Sequence, residues 1–558
     1  INFEDDGLVL KNLSDNNTTI VTQLSGKPSD EGFNSKNYAV EACGNSEFLK
    51  NKIVDVDLNY NCSSSSNCSN KLALTNNGNT YQIGLSPQTF SLQFDTNSRA
   101  EFTLRYPDAG ELSLSGTITD RAALTGSSNI FKVRPFGFAM DVLNDAGTSF
   151  NPNGYAINPN GSLLKRTGEN FVLGLRTVQW VDGEDNNDDG IPDNFADLAN
   201  NNTAEHYSGS VNLTPQQLLP VSGSAGSLSI TSVNFEDEGK VNQALNYDEV
   251  GIISIVAQDT YLTDSTVLGQ LNNVGRFAPS NFSLTGNLVA ACTTSNAFNY
   301  FGQPISEVSF SLTALNQNGS RTTNYYDGFD KLTSLGLQVE HDGNLLNRLE
   351  NINSIGWPQS GATGQITFSD NDIAFSRLGS ATLDGAYIDA AVVLVADQAQ
   401  IEGANFNGLS CSGQCVDDFG DSISFAYGRA TLINNYGAAD EALLLPLRTQ
   451  YWDGNNWRIN KYDSCTAYDH DNVNDESGEL VSSGEESLSE GAYRDSDGIR
   501  LSSPNGAGNY PVSYTPDAWL LWDWDGDGEA DNPPNATLTY GVYRGNDNII
   551  YKREQINN

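Results

Sequence analysis

Short runs in which apolar and polar residues alternate recur along most of this chain, and they constrain its fold more than any other feature. One run places Phe90, Leu92 and Phe94 at every second position, and residues 102–106 repeat the pattern. Successive side chains of a β-strand point to opposite faces, so this alternation predicts strands with one buried face. Short strands separated by frequent turn signals are typical of β-sandwiches. We therefore predict an all-β protein of tandem β-sandwich (immunoglobulin-like) domains with long polar loops.

At 558 residues the chain is too long for a single hydrophobic core. The stretches 133–138 and 274–279 each combine an arginine, a proline and aromatic residues before the alternation resumes. Because proline cannot continue a central strand ladder, we expect domain junctions at both places. The one stretch with a helical pattern, 344–352, predicts a short helix. The predicted domains are an N-terminal β-sandwich (1–134), a β-sandwich with a first acidic loop (135–276), a third β-sandwich (277–405) and a C-terminal β-domain with a second acidic loop (406–558).

Two acidic loops, 185–193 and 523–531, match the pattern D-x-[DN]-x-D-G-x-x-D. Like charges this close repel unless a cation lies between them. Oxygens at positions 1, 3 and 5 converge, glycine permits a sharp turn, and the carbonyl at position 7 adds a ligand. The pattern favours calcium over magnesium, which keeps more water ligands; the alternative is a solvated acidic turn. The predicted ligands are Asp185, Asn187, Asp189, Ile191 and Asp193 in the first loop and Asp523, Asp525, Asp527, Glu529 and Asp531 in the second.

Neither acidic loop has the glutamate that closes a full EF-hand at position 12, where Ala196 and Pro534 stand. Both therefore resemble the shorter calcium loops of dockerin and thrombospondin-type repeats. In such loops Asp193 and Asp531, at position 9, supply the closing carboxylate.

The seven cysteines include two pairs that are close in sequence, Cys62 with Cys68 and Cys411 with Cys415. We predict a disulfide bond in each pair, because the chain otherwise has the composition of an exported protein. The second pair also has the spacing of half a metal site, but no further Cys or His pair stands at zinc spacing. The odd number leaves one thiol free or paired outside the chain, and the spacing leaves the pairing of three residues open: Cys43, Cys292 and Cys465.

The formal net charge is −41, from 70 acidic and 29 basic residues. A nucleic-acid-binding protein needs a basic surface, so we expect no nucleic-acid partner. The same charge opposes docking on anionic membranes. No apolar run reaches the 18 residues or so of a membrane helix, so we also expect no membrane insertion. A solvated extracellular protein fits this composition.

Several longer motifs lie between about residue 90 and residue 551. They are 106–110, 129–136, 275–277, 281–284, 298–304, 447–454, 463–466 and 543–551. These motifs resemble the MshQ-type proteins, which are encoded with the mannose-sensitive haemagglutinin (MSHA) type IV pilus of marine and aquatic gamma-proteobacteria. The resemblance implies a secreted, pilus-associated protein whose partners are pilus or filament subunits, with surface glycans as further candidate ligands.

We therefore predict a secreted, calcium-stabilised surface protein that acts in adhesion or pilus assembly without catalysis. The three histidines are scattered, and no nucleophile elbow follows a strand. Two alternatives stay open: a structural subunit of an extracellular filament, because sandwich edges can pair between chains, and a secreted polysaccharide-active enzyme, because carboxylates are abundant. The tryptophans of the last domain are more typical of a core than of sugar stacking.

Overall fold

A computed structural model describes most of the chain, and it consists almost entirely of strands. The described residues contain 42 strands and five 3₁₀ helices but no α-helix, which confirms the all-β prediction. None of their helices has the length and hydrophobicity that a membrane span requires. The described residues are 7–12, 19–28, 38–42, 48–63, 68–236, 238–263, 265–293, 296–361, 363–380, 382–478, 480–483, 485–492, 498–502 and 506–541.

The first β-sandwich has two sheets, with the strand orders β1-β3-β8-β5-β6 and β2-β11-β9-β4-β7; β10 pairs with β9. Burial alternates along β9, where Leu112 and Leu114 face the core as the sequence pattern predicts. The strands are β1 (Leu8–Asn12), β2 (Gln23–Leu24), β3 (Tyr38–Ala42), β4 (Ile53–Cys62), β5 (Leu72–Asn76), β6 (Asn79–Ile83), β7 (Gln88–Gln93), β8 (Arg99–Arg105), β9 (Gly110–Ile118), β10 (Arg121–Ser127) and β11 (Phe131–Arg134).

The second β-sandwich packs a three-stranded sheet, β12-β14-β17, and a five-stranded sheet, β13-β19-β18-β15-β16. Phe138, Tyr207 and Phe235 meet in its core. Its 3₁₀ helices are Pro152–Gly154 and Asp197–Asn200. The strands are β12 (Gly137–Leu143), β13 (Lys165–Arg166), β14 (Phe171–Val178), β15 (Ser208–Leu219), β16 (Ser232–Glu236), β17 (Lys240–Leu245), β18 (Gly251–Tyr261) and β19 (Ser265–Ala278).

The third group of strands forms the sheets β26-β22-β20-β29, β21-β30-β28-β23-β24 and β25-β27, with a 3₁₀ helix at Gln398–Ile401. The strands are β20 (Asn281–Val289), β21 (Phe298–Tyr300), β22 (Glu307–Leu315), β23 (Leu335–His341), β24 (Asn344–Leu346), β25 (Leu349–Glu350), β26 (Gln365–Asp370), β27 (Ala374–Phe375), β28 (Gly385–Asp397), β29 (Asn405–Phe406) and β30 (Gln414–Ala426).

The helix predicted at 344–352 is wrong, because this segment contains β24 and β25. Asp342 and Gly343 both have positive φ, 52° and 77°, which are the angles of a tight hairpin turn. The turn folds β24 back against β23 in an antiparallel pair. A local turn signal thus outweighed the helical spacing of the apolar residues.

The fourth group of strands forms the sheets β31-β34-β35, β32-β42-β41-β37, β33-β40-β38 and β36-β39. Its 3₁₀ helices are His470–Asn472 and Ala518–Leu520. The motif at 543–551 lies outside the described residues. The strands are β31 (Gly428–Leu432), β32 (Asn435–Gly437), β33 (Leu443–Leu444), β34 (Leu447–Trp452), β35 (Trp457–Ile459), β36 (Ala467–Asp469), β37 (Val473–Asp475), β38 (Val481–Ser483), β39 (Glu485–Ser487), β40 (Arg500–Ser502), β41 (Gly508–Tyr514) and β42 (Asn535–Tyr540).

The chain divides into two compact units: residues 1–280 with 314–330 and 362–364, and residues 281–313, 331–361 and 365–558. Within the first unit, the buried carboxylate of Asp108 links the first two sandwiches. It accepts hydrogen bonds from the backbone N–H groups of Ala109 and His206, each at 2.8 Å, and it contacts the His206 ring. A buried carboxylate with several donors fixes the geometry around it, because each donor offsets part of the cost of its burial.

Candidate metal centre

The second acidic loop, 523–531, brings three carboxylates together. Side-chain oxygens of Asp523, Asp525 and Asp527 lie within 4.8 Å of one another. Trp522 and Asn532 close the base of the loop through two backbone hydrogen bonds of 3.1 and 3.0 Å. Three of the five predicted ligands therefore converge, and these oxygens are the hard donors that calcium prefers.

Asp523 is held in place by donors from the loop itself and from another segment of the same unit. Its Oδ1 accepts from the N–H of Gly526 at 2.6 Å, and its Oδ2 accepts from the N–H of Gly528 at 3.1 Å and from Ser380 Oγ at 3.1 Å. Desolvation raises the pKa of this carboxyl group, but the hydrogen bonds from Ser380 and the backbone outweigh it and hold the pKa below its usual value. The group is therefore ionised, as a metal ligand must be.

The other two predicted ligands of the second loop, Glu529 and Asp531, are not part of the group of three carboxylates. The N–H of Glu529 donates to Asp527 Oδ1 at 2.8 Å, so this residue lies at the turn where its carbonyl was expected to act. Gly526 and Gly528 both have positive φ, 82° and 97°, and they allow the sharp turn that the pattern predicts.

The first acidic loop, 185–193, repeats the backbone hydrogen bonds of the second. In each loop the glycine N–H at position 6 donates to the carboxylate at position 1, over 3.2 Å in the first loop and 3.1 Å in the second. The N–H at position 7 donates to the carboxylate at position 5, over 2.8 Å in both. The N–H at position 5 donates to the side chain at position 3, over 3.3 Å in both. The shared sequence pattern therefore produces one shared turn.

The side chains of the first loop are arranged differently from those of the second, because the ammonium group of Lys27 lies against its carboxylates. Lys27 Nζ is 3.7 Å from Asp185 Oδ2 and 3.3 Å from Asp188 Oδ1, and the Asp185 side chain is fully buried. Burial raises the pKa of Asp185, although Lys27 opposes the shift. Asp193 Oδ2 accepts two hydrogen bonds of 2.8 Å from Asn186. This loop forms none of the three-ligand groups found among the described residues.

Three disulfide bonds join described cysteines. Two are the pairs that the spacing predicts, Cys62–Cys68 and Cys411–Cys415, with Cα atoms 5.9 and 5.2 Å apart. The third joins Cys292 to Cys465, with Cα atoms 5.7 Å apart and a sequence separation of 173. A pair so distant in sequence has no local signal, so sequence reasoning left it open. Cys43 lies outside the described residues.

Beside the Cys292–Cys465 bond lies a buried polar network. Tyr300 Oη donates to Asp463 Oδ2 at 2.7 Å, and Thr466 Oγ1 donates to the same oxygen at 2.8 Å. Burial, followed by the Asp463 carboxylate, raises the pKa of Tyr300 well above its usual value, so its hydroxyl stays protonated. This network holds Asp463 and the neighbouring disulfide in the core, and it explains why the 463–466 motif is structural.

Four family models match successive parts of the chain, and all four belong to one family. Models of DUF6701 match its first Ig-like domain at residues 1–129, its second domain at 134–246, its third at 249–421 and its fourth at 426–555. No curated protein matches.

Solved structures with similar folds include a tetra-tandem repeat from the extending region of a large adhesion protein (13% identity, covering 95% of this chain and 98% of that one, TM-score 0.31). Invasin, a bacterial integrin-binding protein, has 9% identity over 96% of this chain and 79% of its own, with a TM-score of 0.30. A three-Ig-domain fragment of titin has 9% identity over 73% and 95%, with a TM-score of 0.26. The chain, with these four domains in order, belongs to the DUF6701 family.

Proposed function

We propose that this protein is exported to the cell surface and acts there in adhesion. The observation that carries the proposal is the combination of tandem Ig-like domains with three disulfide bonds. Disulfides persist in oxidising compartments outside the cytosol. The net charge of −41 keeps such a chain solvated.

The pilus association in this proposal is supported by the motifs that resemble MshQ-type proteins. One of them, 106–110, contains Asp108, whose carboxylate joins the first two sandwiches through His206. Another, 463–466, contains Asp463 and Cys465 of the buried network. Residues of both motifs therefore make contacts that hold the fold together. Pilus or filament subunits, which the resemblance implies, are the proposed partners of the chain.

Calcium is the proposed stabilising ion, and the second acidic loop is its first site. Three carboxylates within 4.8 Å of one another favour a cation among them. The first loop is proposed as a weaker site, because the ammonium group of Lys27 competes with a cation for Asp185. When bound, the ion would tie the polar loop 523–531 to β42, which begins four residues later.

Attachment of cells to a surface under flow tests the proposed function. Deletion of the gene should abolish attachment, and complementation with the wild-type gene should restore it. Immunolabelling of native cells should place the protein on pili. Normal attachment after deletion would contradict the adhesion proposal, and a regular repeat of label along every fibre would favour the filament-subunit alternative.

A further inference from the structure

A cleft of about 610 Å³ opens at the surface of the second sandwich. Its walls come from β12, from the segment that follows β12, from the end of the first acidic loop and from β19. Pockets of 300–1,000 Å³ are the usual size for small-molecule ligands. The cleft is independent of the second acidic loop, which belongs to the other unit of the chain.

The apolar side of the cleft includes a pair of stacked aromatic rings. The Phe150 and Tyr155 rings lie 5.5 Å apart with only 20° between their planes. Phe150 is 54% exposed, although a large apolar ring is normally covered. A flat, exposed ring face is the surface on which the C–H groups of a ligand can pack.

Tyr155, the inner ring of the pair, is fixed by backbone contacts on both sides. The N–H of Val142 donates to Tyr155 Oη at 3.1 Å, which ties the ring to β12. The N–H of Ala156 donates to the carbonyl of Asn273 at 3.0 Å, which ties the same segment to β19. The ring on which Phe150 stacks is therefore preorganised, which lowers the free energy that a ligand must provide to order the aromatic pair.

The polar side of the cleft consists of amide and carboxylate groups. Asp141, Gln270, Asn272 and Asn273 line it together with Asp193, the last residue of the first acidic loop. Gln270 Nε2 donates to Asn272 Oδ1 at 2.9 Å, so the two amides on β19 are aligned with each other. Side-chain amides both donate and accept hydrogen bonds, as ligand hydroxyl groups require, whereas the carboxylates accept.

The charge of the cleft selects against anionic ligands. Among the described residues that line it there is no lysine or arginine, while Asp141 and Asp193 are both present. An acidic sugar or a phosphate would meet these carboxylates. Arg176, which interacts with Asp141, already donates to the backbone carbonyls of Ala199 and Asn201.

Asp193 is bonded to Asn186 and Asp141 interacts with Arg176, so each carboxylate already has a partner and gains little from a cationic ligand. The fitting ligand is therefore uncharged, rich in hydroxyl groups and apolar on one face.

We propose that this cleft binds a neutral saccharide, with the pyranose ring packed on Phe150 and its hydroxyl groups bonded to the amides of β19. The inference deepens the proposed adhesion function, on which its biological meaning rests. A proline-rich peptide also packs on aromatic rings, but it offers few of the hydroxyl groups that the amide-rich wall would bind.

The test uses the purified full-length chain on an array of neutral, sialylated and sulfated oligosaccharides, followed by titration calorimetry with the best neutral one. Phe150→Ala should weaken binding about tenfold, because the stacking face is lost, and Phe150→Trp should preserve it. Asn272→Ala, on an exposed position of β19, should also weaken binding. The matched control is Ile157→Ala, which removes an apolar side chain that is 75% exposed and lies outside the cleft lining.

Several outcomes would overturn the inference. They are absence of binding to every neutral glycan at millimolar concentration, preference for acidic glycans, equal loss in Ile157→Ala, and displacement of the sugar by a proline-rich peptide with higher affinity. Failure of the adhesion proposal is distinguishable. If the chain binds no glycan but is needed for attachment, only the proposed saccharide site is overturned. If it binds glycan but attachment is normal after gene deletion, only the adhesion function is overturned.

Discussion

The guanidinium carbon of Arg429 lies 4.1 Å from the centroid of the Trp457 ring, so the cation packs against the face of the indole. Trp524 and Trp522 surround the same guanidinium at 5.1 and 5.9 Å. Arg429 belongs to β31, whereas Trp522 and Trp524 flank the first carboxylate of the second acidic loop. Burial lowers the pKa of Arg429 to about 10, which leaves it charged at neutral pH. One cation thus links the acidic loop to the sheet beneath it.

Arg429→Ala should therefore destabilise the second unit by about 1–2 kcal/mol, the range of a partly desolvated cation–π contact with its packed aliphatic stem. Urea unfolding followed by tryptophan fluorescence measures the change. Arg429→Lys should recover only part of it, since the ammonium lacks the planar face. An unchanged midpoint in Arg429→Ala would show that the contact contributes nothing.

Removal of calcium should lower the melting temperature. Extracellular calcium loops bind with Kd of about 10⁻⁴–10⁻³ M, and a hundredfold excess over Kd would add about 2.7 kcal/mol per site. Asp527→Ala should remove most of the calcium effect on the second unit. Glu441→Ala, which removes the same charge from an exposed position in the fourth domain, is the matched control. Identical melting curves in calcium and in chelator would contradict both sites.

Lys27→Met should enlarge the effect of calcium on the first unit. The ammonium group lies 3.7 Å from Asp185 and 3.3 Å from Asp188, so it competes with calcium for these carboxylates. Without it the calcium-free loop is less stable and the ion binds without displacing a partner. Differential scanning fluorimetry with calcium and with chelator measures the difference. A calcium effect equal to that of the wild type would exclude competition by Lys27.

Asp453 should give the hairpin of β34 and β35 a defined pH dependence. A hydrogen bond from Arg458 Nε, at 2.8 Å, together with the backbone N–H groups of Asn456 and Asn455, lowers the pKa of Asp453 to about 2. Because the unfolded value is about 3.9, the ionised carboxylate stabilises the folded state above that pH. This stabilisation is lost as the pH falls towards 2.

Asp453→Asn keeps the oxygen that accepts from the turn but removes the charge. The melting temperatures of wild type and variant should therefore differ most at pH 5–7 and converge as the pH falls below 4. A difference that stays constant across this range would assign the role of Asp453 to turn geometry alone.

Replacing Cys292 and Cys465 by serine should cost about 2–5 kcal/mol, because the bond closes a loop of 173 residues. The same change at Cys411 and Cys415, whose sequence separation is only 4, should cost less. Equilibrium unfolding of both double variants under non-reducing conditions tests this order. Equal losses would indicate that loop-closure entropy does not set the stability.

Local patterns predicted much of this molecule. Alternation at residues 102–106 predicted a strand, and the spacing of acids and glycine predicted the same turn at 185–193 and at 523–531. The tertiary partners of those loops were beyond sequence reasoning, because Ser380 is 143 residues from Asp523 and Lys27 reaches Asp188 across 161 residues. The cleft was missed for the same reason, since its walls come from strands far apart in the chain.

The bond between Cys292 and Cys465 also determines what a mechanical load would meet. When the chain is pulled from its two ends, force crosses the sulfur–sulfur link and bypasses the segment that it encloses, whose ends are 173 positions apart in sequence. Fully extended, that segment would add roughly 600 Å of contour length. In the oxidised protein this segment therefore adds no length even if its strands separate, and reduction makes it extensible.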